Sequence, residues 1–128
     1  MLVLDSNTIS PAVALRFHAL RPAELGVPAI VEYELRYGLL RLPRDAMQPR
    51  MTALTELLHP MHRLPFDEQC AEHAARIRAD LESAGTPIGP HDVLIAATAL
   101  RHQSELVTRN VREFARVPGL RVQNWHDA

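Results

Sequence analysis

The stretch TPIGPHDVLIAATALRH, residues 86–102, divides into two halves of opposite character. Thr86-Pro87-Ile88-Gly89-Pro90 is punctuated by proline and glycine and reads as a loop. From about His91 to His102 the spacing turns helical, and Val93, Leu94, Ile95, Ala96, Ala97, Ala99 and Leu100 surround that helix with apolar groups. Such a helix is buried on most sides, yet an acid, Asp92, stands in its opening turn. An enclosed helix needs neighbouring layers, and strands supply them. Glu105–Thr108 follows directly as a short strand. At the other end of the sequence, Leu2-Val3-Leu4 is an apolar run that stops at Asp5, the pattern of a buried strand with an acid at its carboxyl end.

The rest of the chain alternates in the same way. After Ser6, Asn7 and Thr8, which offer turn and cap chemistry, a short helix is predicted over 12–20 and is broken by Pro22. A strand around Gly26–Pro28 leads into a helix over 29–40. A further helix ends at His59-Pro60; it begins near Arg44, with Pro49 marking either its start or a kink. Met61–Leu64 reads as a strand. Asp67 to Ala84 is the clearest helix, with Asp67 as N-cap, Cys70, Ala74, Ile77 and Leu81 on one face, and Gly85 just past the end. A helical turn over 111–115 and an edge strand over 121–123 complete the series, with Trp125 packing the C-terminal segment down. The alternation predicts an α/β architecture: a mainly parallel sheet of four or five strands with helices on both faces. At 128 residues the chain has the size of a single domain, 1–128, without repeats or linkers.

Composition narrows the function classes. All 14 basic residues are arginine, and the net charge is −1. The absence of lysine removes Walker-type nucleotide sites, Schiff-base enzymes and lysine-dependent phosphoryl receivers. No apolar run is long enough for a membrane helix, and the start MLVLD lacks the features of a secretory signal. Cys70 is the single cysteine and cannot form an intramolecular disulfide. A cytoplasmic protein is expected. His59 and His62 flank Pro60 without a third partner and do not read as a zinc site, and no GxSxG elbow is present.

In an open α/β sheet, ligands bind beyond the carboxyl ends of the strands. Asp5 ends the first strand, Glu32 and Glu34 lie early in the helix after the second, Asp92 opens the buried helix, and Glu113 follows the fourth strand. Clustered carboxylates raise one another's pKa values, and a hard divalent cation such as Mg²⁺ or Mn²⁺ relieves the repulsion. Each acid also has a plainer reading: Asp5 as a turn former, Asp92 as an N-cap, Glu32 as a solvated charge, Glu113 as half of a surface ion pair. Arg109 and Arg112 flank the same edge and suit either phosphates or an acidic protein partner. His91, beside Asp92, reads as a helix-start side chain in solvent.

The segments MLVLDSN (1–7), VEYELRYGLLRL (31–42), PIGPHDVLIAATA (87–99) and TRNVREFARVPGL (108–120), in this order, resemble the PIN-domain ribonucleases, and more specifically the VapC-type toxins of bacterial type II toxin–antitoxin systems. The resemblance covers nearly the whole chain. It implies a PIN-like three-layer α/β/α fold and a Mg²⁺- or Mn²⁺-dependent endoribonuclease, a homodimer neutralised by a VapB-like antitoxin. It also implies Asp5, Glu34, Asp92 and Glu113 as catalytic acids, with Asp5 and Asp92 on the metal, and Asn7, Arg109, Asn110 and Arg112 toward the substrate. Asn110 competes with Glu113 for the fourth position. Position 6 is Ser where Thr is common, and the stretch between Asn7 and Leu25 is shorter than in most relatives by about two helical turns. That shortening leaves a catalytically impaired binding or regulatory module as the alternative reading.

Overall fold

Strands and helices alternate along the chain as β1 (Leu2–Leu4), β2 (Leu25–Pro28), α1 (Ala29–Leu40), α2 (Arg44–Leu58), β3 (His62–Leu64), α3 (Glu68–Ser83), α4 (Pro90–Arg101), β4 (Glu105–Val107), α5 (Val111–Phe114) and β5 (Val122–Gln123). This computed structural model describes residues 1–8 and 21–125. The helix expected over 12–20, and with it most of the shortened segment, lies outside the described residues. The five strands form one sheet in the order β3-β2-β1-β4-β5, and every pairing is parallel. Crossovers between parallel strands are right-handed as a rule, which puts the helices between β2 and β3 on one face and those leading to β4 on the other, in three layers. Val3, Leu4, Leu106 and Val107 are fully buried, as strands covered on both faces must be. Each such side chain contributes roughly 1.5–3 kcal/mol of burial.

The helix ends follow from local chemistry. The Asp67 Oδ1 accepts a hydrogen bond from the Cys70 N–H at 2.9 Å, capping α3. Gly85, at φ 74°, closes it: its N–H reaches the Glu82 carbonyl at 3.1 Å, and the Thr86 N–H reaches Leu81 at 2.9 Å. Only a residue at ease in left-handed backbone can end a helix with this paired motif. Helix α2 starts at Arg44 and runs through Pro49, so the proline is internal and not a start. Helix α4 corrects the reading of Asp92 as an N-cap. Gly89 is the N-cap, Pro90 opens the helix, and Asp92 sits in the first turn. Proline fits there because its missing N–H has no helical partner at that position. Beyond Asp92 the helix is enclosed: Ile95, Ala96, Ala97 and Ala99 are all fully buried. Cys70 and Trp125 are buried as expected.

Candidate active site

Strand order reverses between β1 and β4, where the chain leaves the sheet centre first in one direction and later in the other. Crevices in doubly wound sheets open at such a point. The register pairs Leu4 with Val107, so the next residues, Asp5 and Thr108, stand opposite each other at the mouth. The Asp5 N–H continues the ladder to the Val107 carbonyl at 3.0 Å. Asp5 is only 3% exposed. Its Oδ1 accepts from the Ser6 N–H at 2.8 Å and its Oδ2 from the Thr108 hydroxyl at 2.7 Å. Burial nevertheless pushes its pKa above the ordinary carboxylate value, outweighing those donors, and the charge of Glu113 adds to the rise. The Thr108 hydroxyl also accepts from the Asn110 N–H at 3.0 Å, locking the turn after β4.

Asp92 and Glu113 form a coupled pair. Glu113 accepts from the Gly89 N–H at 2.8 Å and from the Asn110 side-chain amide. Burial works against its charge, but these donors and a hydrogen bond with Asp92 hold its pKa below the ordinary value. Asp92 moves the other way, pushed up to about 7 by burial first, then by the charge and hydrogen bond of Glu113 and the charges of Asp5 and Glu34. Its place at a helix N-terminus favours the anion by only about 0.3–1 kcal/mol. The rise from 3.8 needs several times that, so burial and the neighbouring acids win. Of the two, Asp92 is therefore the one that takes up a proton first as pH falls through about 7, while Glu113 stays ionised.

Glu34 approaches from α1. Its Oε2 lies 3.2 Å from the His91 Nδ1, while its Oε1 is buried with no hydrogen-bond partner. A Cβ on Gly89 would lie 3.1 Å from the Asp92 Oδ2 and 3.8 Å from the Glu113 Oε1, so glycine lets the loop press against both acids. The crevice thus gathers the buried Asp5 and the half-buried Asp92, Glu113 and Glu34, whose carboxylates repel one another and of which Glu34 leaves one oxygen orphaned. All-oxygen donors under mutual repulsion suit a hard cation. Among the described residues no three His, Cys, Asp or Glu side chains converge on a ready coordination shell. Mg²⁺ asks for less than such a shell, since it takes one or two carboxylates directly and keeps its waters.

Of the residues singled out in the sequence, Asp5, Asp92, Glu113 and Asn110 meet in this crevice, with Glu34 at its edge. Glu32 does not join them; it pairs with Arg36 at 2.8 Å and Arg63 at 3.3 Å. The Asn110 side-chain amide donates to Glu113, so the two candidates for the fourth position stand side by side. Arg109 and Arg112 are exposed on either side of Asn110. Asn7 lies in the short 3-10 turn Ser6–Thr8, and its side chain falls outside the described set. His91, read from sequence as a solvent-facing side chain, is exposed but bound to Glu34. Thr108 and Gly89 were not anticipated as site residues. A hydroxyl one position beyond β4, opposite the acid that ends β1, was the available signal for Thr108.

The PIN-domain family model matches residues 2–120. Over 131 residues the chain is 36% identical to the tRNA(fMet)-specific endonuclease VapC of Salmonella typhimurium, with 96% of each chain covered. Among solved structures it superposes on DNA-bound VapBC from Salmonella typhimurium with a TM-score of 0.86, at 32% identity and 97% coverage of both chains. FitAcB from Neisseria gonorrhoeae gives a TM-score of 0.86 at 30% identity, covering 98% of this chain and 99% of the other.

Proposed function

Because this chain belongs to the PIN-domain family, as a VapC-type ribonuclease toxin of a toxin–antitoxin system, we propose that it is a Mg²⁺- or Mn²⁺-dependent endoribonuclease that hydrolyses RNA phosphodiester bonds. The observation that carries the metal dependence is the gathering of Asp5, Asp92 and Glu113 at one sheet edge, where burial first and the neighbouring acid charges second raise the pKa of both aspartates. In this reading Asp5 and Asp92 hold the cation, and Glu34 and Glu113 stand around it. When bound, the cation neutralises the acids, makes water a better nucleophile and stabilises charge on the phosphate.

The protein's own groups do the rest. The Thr108 hydroxyl and the Ser6 N–H fix the Asp5 carboxylate. Glu113, kept ionised and aimed by Gly89 and Asn110, orients the attacking water and accepts its proton. Arg109 and Arg112 bind phosphates along the rim, with Asn7 beside the first acid. The partners proposed with this activity are a second copy of the chain and a VapB-like antitoxin, in the cytoplasm. Exposed leucines on and after α1 and on α2 (Leu40, Leu42, Leu57) support protein contacts, and the two structural relatives above are VapBC and FitAcB assemblies. Among the described residues no helix is long and apolar enough to cross a membrane.

The test is cleavage of diverse RNAs by the purified chain. Mn²⁺ or Mg²⁺ should support it, EDTA should stop it, and Asp5→Ala or Asp92→Ala should abolish it. Metal-stimulated cleavage that survives both substitutions refutes the assigned centre. Absence of cleavage by the folded wild-type chain supports the impaired-module reading instead.

A further inference from the structure

A row of aromatic rings leads away from the acids along α1. The Tyr33 ring meets His91 edge-on, with centroids 5.9 Å apart, and His91 in turn holds Glu34. Tyr37, one helical turn on, lies nearly parallel to Tyr33 with centroids 6.4 Å apart and planes inclined by 26°. The Arg41 guanidinium sits over the Tyr37 ring, 5.9 Å from its centroid. Positions 33, 37 and 41 share one face because residues four apart are neighbours on a helix. Neither tyrosine belongs to the core: Tyr33 is 54% exposed and Tyr37 56% exposed. The fold therefore does not require these rings, and two large apolar faces in water are unfavourable unless something covers them.

We propose that Tyr33 and Tyr37 are a stacking platform for unpaired RNA bases flanking the phosphate held at the acids, with Arg41 meeting the backbone at the far end. This rests on the ribonuclease reading above. Three observations favour RNA over a protein partner as the occupant. The row is continuous with the candidate site through His91 and Glu34. It is built of flat rings, which stack bases without regard to their identity. It ends in an arginine, whose fork suits a phosphate.

The experiment measures binding of a fluorescently labelled single-stranded RNA of roughly ten nucleotides by anisotropy without divalent metal, and its cleavage in Mn²⁺. Tyr33→Ala and Tyr37→Ala should each weaken binding about tenfold or more and raise KM rather than lower kcat, with the salt dependence unchanged. Tyr33→Phe and Tyr37→Phe should restore both, since the ring and not the hydroxyl stacks. Arg41→Ala should reduce the salt slope by about one. An otherwise identical oligonucleotide with abasic sites should bind wild type and the alanine variants alike. Thermal melting confirms that the variants remain folded.

Cleavage and binding by the alanine variants at wild-type levels overturn the platform while leaving the ribonuclease reading intact. The same holds if the substitutions alter only oligomeric size, which would make the row a protein contact. A wild-type chain that neither binds nor cleaves RNA removes both readings together.

Discussion

At the scale of single residues, the site is an acid cluster whose behaviour is set by its non-acidic neighbours. Thr108 shows this most clearly. Its hydroxyl gives Asp5 a hydrogen bond in a nearly water-free position and also takes the Asn110 N–H. Thr108→Val keeps the shape but strands both partners, a change that costs roughly 1–3 kcal/mol. The expected result is a lower Tm and Mn²⁺ binding weakened about tenfold or more by calorimetric titration, with Thr108→Ser restoring both. Unchanged metal affinity in the valine variant would show that Asp5 does not depend on this donor. Asp5, Asp92 and Glu113 were legible in the sequence because each follows a strand or opens a helix, whereas Glu34, in the second turn of α1, was set apart from Glu32 only by the family resemblance. Thr108 and Gly89 were not, because their roles depend on which strands become neighbours. Asp5 and Thr108 meet only through the β1–β4 register, across about a hundred residues.

At the scale of elements, helix α3 is fastened at its start by one side chain with two duties. Asp67 caps the helix through Cys70, and its other oxygen accepts from the Arg101 Nε at 3.1 Å, tying α3 to the end of α4. The backbone bond from Cys70, assisted by Arg101, lowers the Asp67 pKa to about 2. A depressed carboxylate pKa stabilises the fold fully above the unfolded value near 4 and loses that contribution as pH falls toward 2. Asp67→Ala should therefore lower Tm by several degrees at pH 7, and the gap from wild type should close in acid. A gap that stays constant down to pH 2 would show that the charge plays no part. Element types were readable throughout the described residues because the apolar spacing is consistent, and their limits shifted by a residue or so. The one substantive shift, the cap of α4, arose because Pro90 can open a helix without a capping side chain.

For the whole molecule, the site sets how stability responds to pH and, on the proposed function, to metal. Asp92 has a folded pKa raised to about 7, the opposite case from Asp67. Its charged form is penalised in the fold, so the metal-free protein gains stability as pH falls from above 7 toward 4, and Asp5 acts in the same direction. After allowance for solvent screening, the Asp92 contribution is roughly 1–2 kcal/mol. Metal-free protein should melt a few degrees higher at pH 5 than at pH 8, and Mg²⁺ should recover the difference at pH 8. Asp92→Asn should raise the metal-free Tm at pH 8 and blunt the Mg²⁺ response. If Mg²⁺ stabilises that variant as strongly as wild type, the ion binds elsewhere.

The central place of β1 has a consequence for how the protein is made. Its first strand leaves the ribosome early, but its partner β4 begins only at Glu105, and Glu113 comes later still. Chains emerge from their N-termini over several seconds. Throughout that interval Asp5 has no Thr108 opposite it and Asp92 no Glu113 beside it. A nascent chain, or one terminated before Glu113, therefore lacks the assembled acid cluster, and translation itself delays its appearance until that residue has been made.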